Sequence, residues 1–90
     1  MVITFDPAKR ARTLKERGLD FAAAEAVFAG RNLTVEDDRH DYGEQRNATV
    51  GFLAGRMVMV VWTPRNGARH IISMRKTNAR ETRRYQAKMG

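Results

Sequence analysis

The stretch DDRHDYGEQR, residues 37–46, is rich in groups that can transfer protons or bind ions. It contains four carboxylates, two guanidiniums, one histidine and one tyrosine, and it has no aliphatic side chain. Three interpretations are open at this point: a solvated turn, a metal site, or the acid and base part of a catalytic centre.

The metal site is the weakest of these interpretations. A calcium loop of the EF-hand type needs oxygen ligands at alternating positions and glycine at the sixth, whereas this stretch has Arg39 at the third position and Tyr42 at the sixth. Zinc would need further ligands beside His40 and His70, and the chain has no cysteine and no His-x-x-x-His pair. We therefore predict no metal and no cofactor.

Cleavage of RNA without a metal requires a base for the 2′-hydroxyl, an acid for the leaving oxygen and fixed cations around the phosphorane. His40 and Glu44 can exchange protons in this way. Four arginines in or after the loop can hold the phosphate, namely Arg39, Arg46, Arg69 and Arg75. The competing interpretation is a hydrated connector, in which Glu44 and Arg46 form a surface ion pair worth less than about 1 kcal/mol.

The charge distribution favours an anionic partner. The net charge is +7, and the residues after position 45 contain a single carboxylate, Glu81. Most of the basic residues are arginine, whose planar fork binds phosphate through two parallel hydrogen bonds. Nucleic acid, before a membrane surface, is the partner that this pattern predicts, and a merely soluble basic surface is the alternative.

The length of 90 residues predicts a single domain spanning residues 1–90, since so short a chain cannot divide its core in two. An apolar fraction of 42% is typical of a globular protein. The lack of cysteine suits a reducing compartment. Neither a secretory signal nor a long apolar run is visible, so we expect a cytoplasmic protein with no membrane partner.

The first part of the chain predicts one strand and two helices that must support the loop. VITF reads as a short strand, and Asp6 followed by Pro7 is a helix start that should end at Gly18. A second helix should begin after Asp20 and end near Gly30.

After residue 31 the apolar residues alternate, which predicts strands at NLTVE, RNATVGFL, MVMVVWT and RHIISMR. The run 57–63 is apolar on both faces and should be central in the sheet. Asn78 with Glu81 three residues later predicts a capping box and a final helix. The predicted fold class is α+β, a mostly antiparallel meander in the order β-α-α-β-β-β-β-α.

Strict alternation along residues 69–75 would place a basic face on the last strand. It assigns one side to four residues, Arg69, Ile71, Ser73 and Arg75, and the other side to His70, Ile72 and Met74. His70 then reads as a packed or partner-facing histidine. Tyr85 in the final helix either packs on the sheet or lends its hydroxyl to the basic face.

Three ordered segments, FDPAKRARTLKERGLDFAAAEAVF, DDRHDYGEQR and HIISMRKTNARETRRY, resemble the BrnT family of type II toxins, small ribonucleases similar to RelE in fold. The resemblance implies metal-independent RNA cleavage. It also implies a cognate BrnA-like ribbon-helix-helix antitoxin, with the complex binding operator DNA.

Family motifs fall on specific residues of this chain. The RH…GE.R motif falls on Arg39, His40, Gly43, Glu44 and Arg46; IS.RK falls on Ile72, Ser73, Arg75 and Lys76; E…Y falls on Glu81 and Tyr85. The resemblance thus implies a catalytic set of His40, Glu44, Arg46, Arg75 and Tyr85. The RNA-binding set comprises Arg17, Arg39, Arg69, Ser73 and Lys76.

One segment departs from the family pattern. Family members commonly read Lys-His-Gly at the end of helix one, where this chain has Glu16-Arg17-Gly18. A catalytic part for a lysine or histidine there is in doubt, although Arg17 can still bind phosphate. Two other functions stay open: a toxin of the same fold that inhibits DNA gyrase by protein contact, and a non-catalytic nucleic-acid-binding module.

The charge distribution generates a first prediction. RNA affinity should fall steeply with salt, by about 0.7 log unit per log unit of salt for each single-strand phosphate contact, because binding releases condensed counterions. Titration of a fluorescent oligoribonucleotide over a series of salt concentrations measures this slope. A flat response would contradict phosphate-based binding.

Overall fold

The computed structural model of the protein describes residues 1–39 and 41–90. His40, a predicted catalytic residue, lies outside the described residues. The strands are β1 (Ile3–Phe5), β2 (Leu33–Glu36), β3 (Asn47–Leu53), β4 (Arg56–Arg65) and β5 (Ala68–Lys76). The helices are α1 (Pro7–Arg17), α2 (Ala24–Ala29) and α3 (Ala79–Met89), with a 3₁₀ turn at Phe21–Ala23. The predicted α+β class and element order are confirmed.

Local capping interactions place the first and last helices where the sequence predicts them. The Asp6 side chain accepts a hydrogen bond from the Ala8 N–H at 3.0 Å, and Gly18 ends α1 with a φ of 68°. Asn78 and Glu81 form the predicted capping box at the start of α3. Each cap satisfies backbone groups that the helix itself leaves unpaired.

The second predicted helix has a different start. Asp20 is a cap as expected, but its side chain accepts from the Ala22 N–H and opens the 3₁₀ turn, so that the α-helix begins only at Ala24. The Asp20 carboxylate also binds the Arg10 guanidinium at 2.8 Å, which ties this turn to α1.

The sheet has the order β1-β5-β4-β3-β2. All neighbours are antiparallel except β1 and β5, which pair in parallel. The predicted central position of β4 is confirmed, because the run 57–60 is buried on both faces. Among the described residues, no helix has the length and apolarity to cross a membrane.

Each face of the sheet carries its own hydrophobic cluster. The first cluster contains residues from α2, the 3₁₀ turn and the sheet, among them Phe21, Val27, Phe28, Val60, Ile71 and Met74. The second cluster lies under α3 and contains Ala48, Val50, Met57, Met59 and Tyr85. The sheet is therefore a layer between the amino-terminal helices and the carboxy-terminal helix.

A β-bulge interrupts the pairing of β4 with β5. Val61 pairs with Ser73, whereas the next residue, Trp62, pairs with Ile71. Ile72 is consequently the extra residue on β5. Such a bulge reverses the alternation of side chains on the bulged strand.

The bulge overturns the predicted basic face. Ile71 and Met74 both lie in the first cluster, although strict alternation assigns them to opposite sides. Arg69 contacts rings on the first-cluster face, whereas Arg75 contacts Met59 and Glu81 on the face of α3. The prediction that Arg69 and Arg75 share one face is wrong, because the sequence does not reveal the extra residue at position 72.

A close contact between β3 and α2 generates a stability prediction. A Cβ atom at Gly51 would lie 2.8 Å from Val27 Cγ1 and 3.3 Å from the Arg31 carbonyl oxygen. We expect Gly51→Ala to lower the free energy of unfolding by about 1–3 kcal/mol through overpacking. In a protein that already carries Val27→Ala, the same substitution should lower the free energy of unfolding by less, since the contacting methyl group is gone. Urea denaturation of the wild type, the two single variants and the double variant measures these free energies. If the effects of the two substitutions simply added, the contact between residues 27 and 51 would be contradicted.

Candidate functional site

An open cleft of about 230 Å³ lies on the α3 face of the sheet, between α3 and the end of β2. One side is formed by residues 35–39 and the floor by Ala48, Met59 and Val61. The other side is formed by polar residues of β5 and α3, namely Arg75, Glu81, Arg84 and Tyr85. The cleft thus joins the first part of the DDRHDYGEQR segment to the basic end of the chain.

Arg75 and Glu81 form an ion pair in the cleft, with a shortest N–O distance of 2.7 Å. The two terminal nitrogens of Arg75 donate to the two carboxylate oxygens of Glu81, at 2.8 and 2.7 Å. This bonding raises the pKa of Arg75 and, together with the Asn78 N–H, lowers the pKa of Glu81 to about 2. Glu81 is therefore a carboxylate at neutral pH, held by the strand on one side and the helix start on the other.

Tyr85 packs on the sheet, which is the first of the two roles that the sequence left open. Its ring belongs to the second hydrophobic cluster, and its hydroxyl accepts a hydrogen bond from Arg84 at 3.2 Å. The Arg84 guanidinium lies 4.8 Å from the centre of the ring, and Lys88 Nζ lies 6.0 Å from it. The residue is a packed tyrosine that also lines the cleft.

Arg39 is the cation of the opposite side. Its Nε and Nη2 atoms donate to the two carboxylate oxygens of Asp37, at 2.8 and 3.1 Å. The Asp37 carboxylate is the main cause of the raised pKa of Arg39, and Tyr42 adds to it. Asp37 therefore orients an arginine of the cleft.

Glu44 and Arg46 form a separate group beside the β4–β5 turn. Glu44 accepts from Arg65 Nη2 at 3.1 Å and lies 3.8 Å from Arg46 Nε. The Arg46 guanidinium lies over the Tyr42 ring, 3.9 Å from its centre. Its Nε atom is buried and finds no hydrogen-bond acceptor within the described residues.

Arg17 and Arg69 lie away from the cleft. Arg17 donates to the Met74 carbonyl oxygen at 2.9 Å and so fastens the end of α1 to β5. The Arg69 guanidinium lies 4.4 Å from the centre of the Phe28 ring and 4.7 Å from that of Trp62. Arg69 is held by cation–π contacts on the face opposite the cleft.

His70 is a half-buried residue bound to the parallel edge strand. Its Nδ1 lies 2.9 Å from the Thr4 hydroxyl. Burial lowers its pKa first, and the positive charges of Arg65 and Lys9 lower it further. It is therefore neutral at pH 7, in keeping with a packed histidine.

Among the predicted site residues that the structure describes, three line the cleft, namely Arg39, Arg75 and Tyr85. Six others are not part of the lining, namely Arg17, Glu44, Arg46, Arg69, Ser73 and Lys76. Sequence reasoning overlooked Arg84 and gave Glu81 only a capping and motif role. The signal for Arg84 was its position next to Tyr85 on the same helix.

The described part of the chain contains no group of three His, Asp or Glu side chains that is able to hold a metal ion. The cleft lining contains three guanidiniums, four carboxylates and one phenol. Asp37 is paired with Arg39 and Glu81 with Arg75, whereas no ion pair of the described residues includes Arg84. The planar fork of such a guanidinium is able to bind two oxygens of a phosphate group.

Comparison with known proteins gives one family. Residues 5–81 match the sequence model of a family described as "Ribonuclease toxin, BrnT, of type II toxin-antitoxin system". The matched region holds the whole sheet except the start of β1, while Arg84 and Tyr85 follow its end. A search of curated proteins returned no match.

The bound carboxylate of Glu81 generates a pH prediction. Its folded-state pKa of about 2 lies below the ordinary value of 4.5, so its stabilising effect is full above 4.5 and is lost as the pH falls towards 2. We expect the free energy of unfolding of Glu81→Gln to decrease less than that of the wild type as the pH falls from 4.5 to about 2. Chemical denaturation at several pH values measures it, with Asp20→Asn as a control that removes a different bound carboxylate. Parallel curves for Glu81→Gln and wild type would contradict the pairing.

Proposed function

Because the chain belongs to the BrnT family of ribonuclease toxins of type II toxin–antitoxin systems, we propose that it binds RNA in the cleft between α3 and the end of β2. The observation that carries this proposal is that Arg39, Arg75, Arg84 and Tyr85 line one cleft. Family membership also favours RNA cleavage over the inhibition of gyrase or a purely binding role.

The proposed reaction is an internal transfer at phosphorus. The 2′-oxygen attacks the adjacent phosphorus as its proton passes to a base, and the P–O5′ bond breaks as an acid protonates the 5′-oxygen. The products are a 2′,3′-cyclic phosphate and a 5′-hydroxyl end. Guanidiniums around the phosphate stabilise the extra negative charge of the phosphorane.

The proton-transfer groups are proposed from the loop and from α3. His40 follows Arg39, a cleft residue, in the sequence, and histidine is the side chain most often used for proton transfer near neutral pH. Tyr85 lines the cleft, and its hydroxyl, which accepts a hydrogen bond from Arg84, is the second proposed group. Glu44 is paired with Arg65 outside the cleft lining, so its part in the chemistry remains a prediction that the same assay tests.

We propose that the reaction needs no metal ion. The support is chemical: the guanidinium of Arg84, which is in no ion pair of the described residues, can bring positive charge to the phosphate in place of a divalent cation.

An antitoxin partner and an RNA target follow from membership of a toxin–antitoxin family. We propose that the antitoxin is a BrnA-like ribbon-helix-helix protein, that it covers the cleft and the basic residues of α3, and that the complex binds operator DNA. Arg69 lies on the opposite face of the sheet from Arg75. An antitoxin that covers the cleft would therefore leave the face with Arg69 uncovered.

Substitutions at the proposed proton-transfer groups test the mechanism. We expect His40→Ala to slow cleavage by about 10²- to 10⁴-fold with RNA binding nearly unchanged, because it removes a proton-transfer group and no phosphate contact. Tyr85→Phe should slow cleavage with the fold retained, since it deletes only the hydroxyl. Single-turnover cleavage of a labelled RNA in EDTA measures both.

Asp41→Ala is the matched control, because Asp41 is an exposed carboxylate of the same loop that does not line the cleft. Thermal melting of every variant checks the fold. Equal cleavage rates for wild type and His40→Ala would favour the interpretation of the loop as a solvated connector. Loss of wild-type cleavage in EDTA would contradict the metal-independent reaction. A Glu44→Gln rate as low as that of His40→Ala would place Glu44 in the chemistry.

A further inference from the structure

We infer that Arg84 makes the direct contact with the RNA phosphate in the cleft, and that Arg75 and Arg39 serve mainly to build its walls. The inference rests on the proposed function in taking RNA as the ligand. It assigns the binding role to a residue that lies beyond the matched family region.

Arg75 has little hydrogen-bonding capacity left for a ligand. Nη1 donates to Glu81 at 2.8 Å and to the Lys76 carbonyl oxygen at 3.4 Å. Nη2 donates to Glu81 at 2.7 Å and contacts Met59 Sδ at 3.4 Å. Two-point binding of a phosphate by these nitrogens would require the Glu81 bonds to break, which would leave a partly buried carboxylate without its partner.

Arg39, on the other side of the cleft, is likewise bound to a carboxylate. Asp37 takes its Nε and Nη2 donors at 2.8 and 3.1 Å and neutralises its charge. Two of the three cleft guanidiniums are therefore already paired with carboxylates.

Arg84 differs from both. Its one hydrogen bond among the described residues goes to the Tyr85 hydroxyl, a neutral acceptor, and no ion pair of the described chain includes it. Its side chain is exposed and lines the cleft. Although the lining contains four carboxylates, Arg84 is thus the cleft guanidinium that is paired with none of those that the structure describes.

Tyr85 gives this guanidinium a fixed position. The ring is buried in the second cluster, and Arg84 lies 4.8 Å from its centre while donating to its hydroxyl at 3.2 Å. A restrained guanidinium loses less conformational entropy when it binds than a freely rotating one. The arrangement also places the bound phosphate next to the Tyr85 hydroxyl, which the proposed function uses.

The neighbouring residue supplies a matched control. Arg83 lies on the same helix, is exposed and is not part of the cleft lining. Arg83→Gln and Arg84→Gln therefore remove the same charge from adjacent positions. A difference in RNA affinity between the two variants would therefore indicate a contact in the cleft, and not only the electrostatic attraction of a positively charged helix.

The experiment measures fluorescence anisotropy of a 2′-O-methyl oligoribonucleotide, which binds but cannot be cleaved, over a series of salt concentrations. We expect Arg84→Gln to weaken binding by about tenfold or more, the effect of losing a charge-assisted hydrogen bond. Its salt slope should fall by about 0.7, the loss of one phosphate contact. Arg83→Gln should weaken binding less. Arg84→Lys should restore part of the affinity, because it keeps the charge and loses the fork.

Equal losses for Arg83→Gln and Arg84→Gln would overturn the inference. So would a larger loss for the neutral double variant Arg75→Gln/Glu81→Gln than for Arg84→Gln, with both proteins folded by thermal melting. Wild-type cleavage of the unmodified RNA is measured in parallel. Its absence together with a selective Arg84 effect would count against the proposed reaction and not against the phosphate contact.

Discussion

The carboxylate of Glu81 is the interaction on which the arrangement of the cleft depends. It accepts two hydrogen bonds from Arg75 on β5 and one from the Asn78 N–H at the start of α3. One side chain therefore fixes the beginning of the last helix and the direction of a guanidinium on the sheet. Tyr85, one helical turn further on, is positioned by the same anchor.

The bulge at Ile72 has a comparable effect on the sheet. It lets the amino-terminal part of β5 present Arg69 to the Phe28 and Trp62 rings and the later part present Arg75 to the cleft. Regular alternation would put both arginines on one side and would bury a polar group in one of the two clusters. The extra residue thus allows one strand to supply apolar residues to the first cluster and a charged residue to the other face.

Local signals predicted most of the fold. Asp6 and Gly18 around α1, the Asn78–Glu81 capping box and the two-sided apolar run of β4 each depend on residues close in sequence, and each is confirmed. The features that sequence reasoning did not reach depend on distant partners. A bulge is defined by the pairing of two strands, and the pairing of Glu44 with Arg65 rather than with a cleft residue is set by how the loop meets the β4–β5 turn.

The topology has a consequence for the order of events during synthesis. β1 pairs in parallel with β5, and the cleft takes its last residues from α3. A nascent chain that ends within β4 contains the DDRHDYGEQR segment but lacks every residue of the opposite wall. Since domains assemble as their parts emerge from the ribosome, the cleft can form only after almost the whole of the described chain has been translated. The cleft that we propose as the RNA site is therefore still incomplete while the ribosome is translating β4.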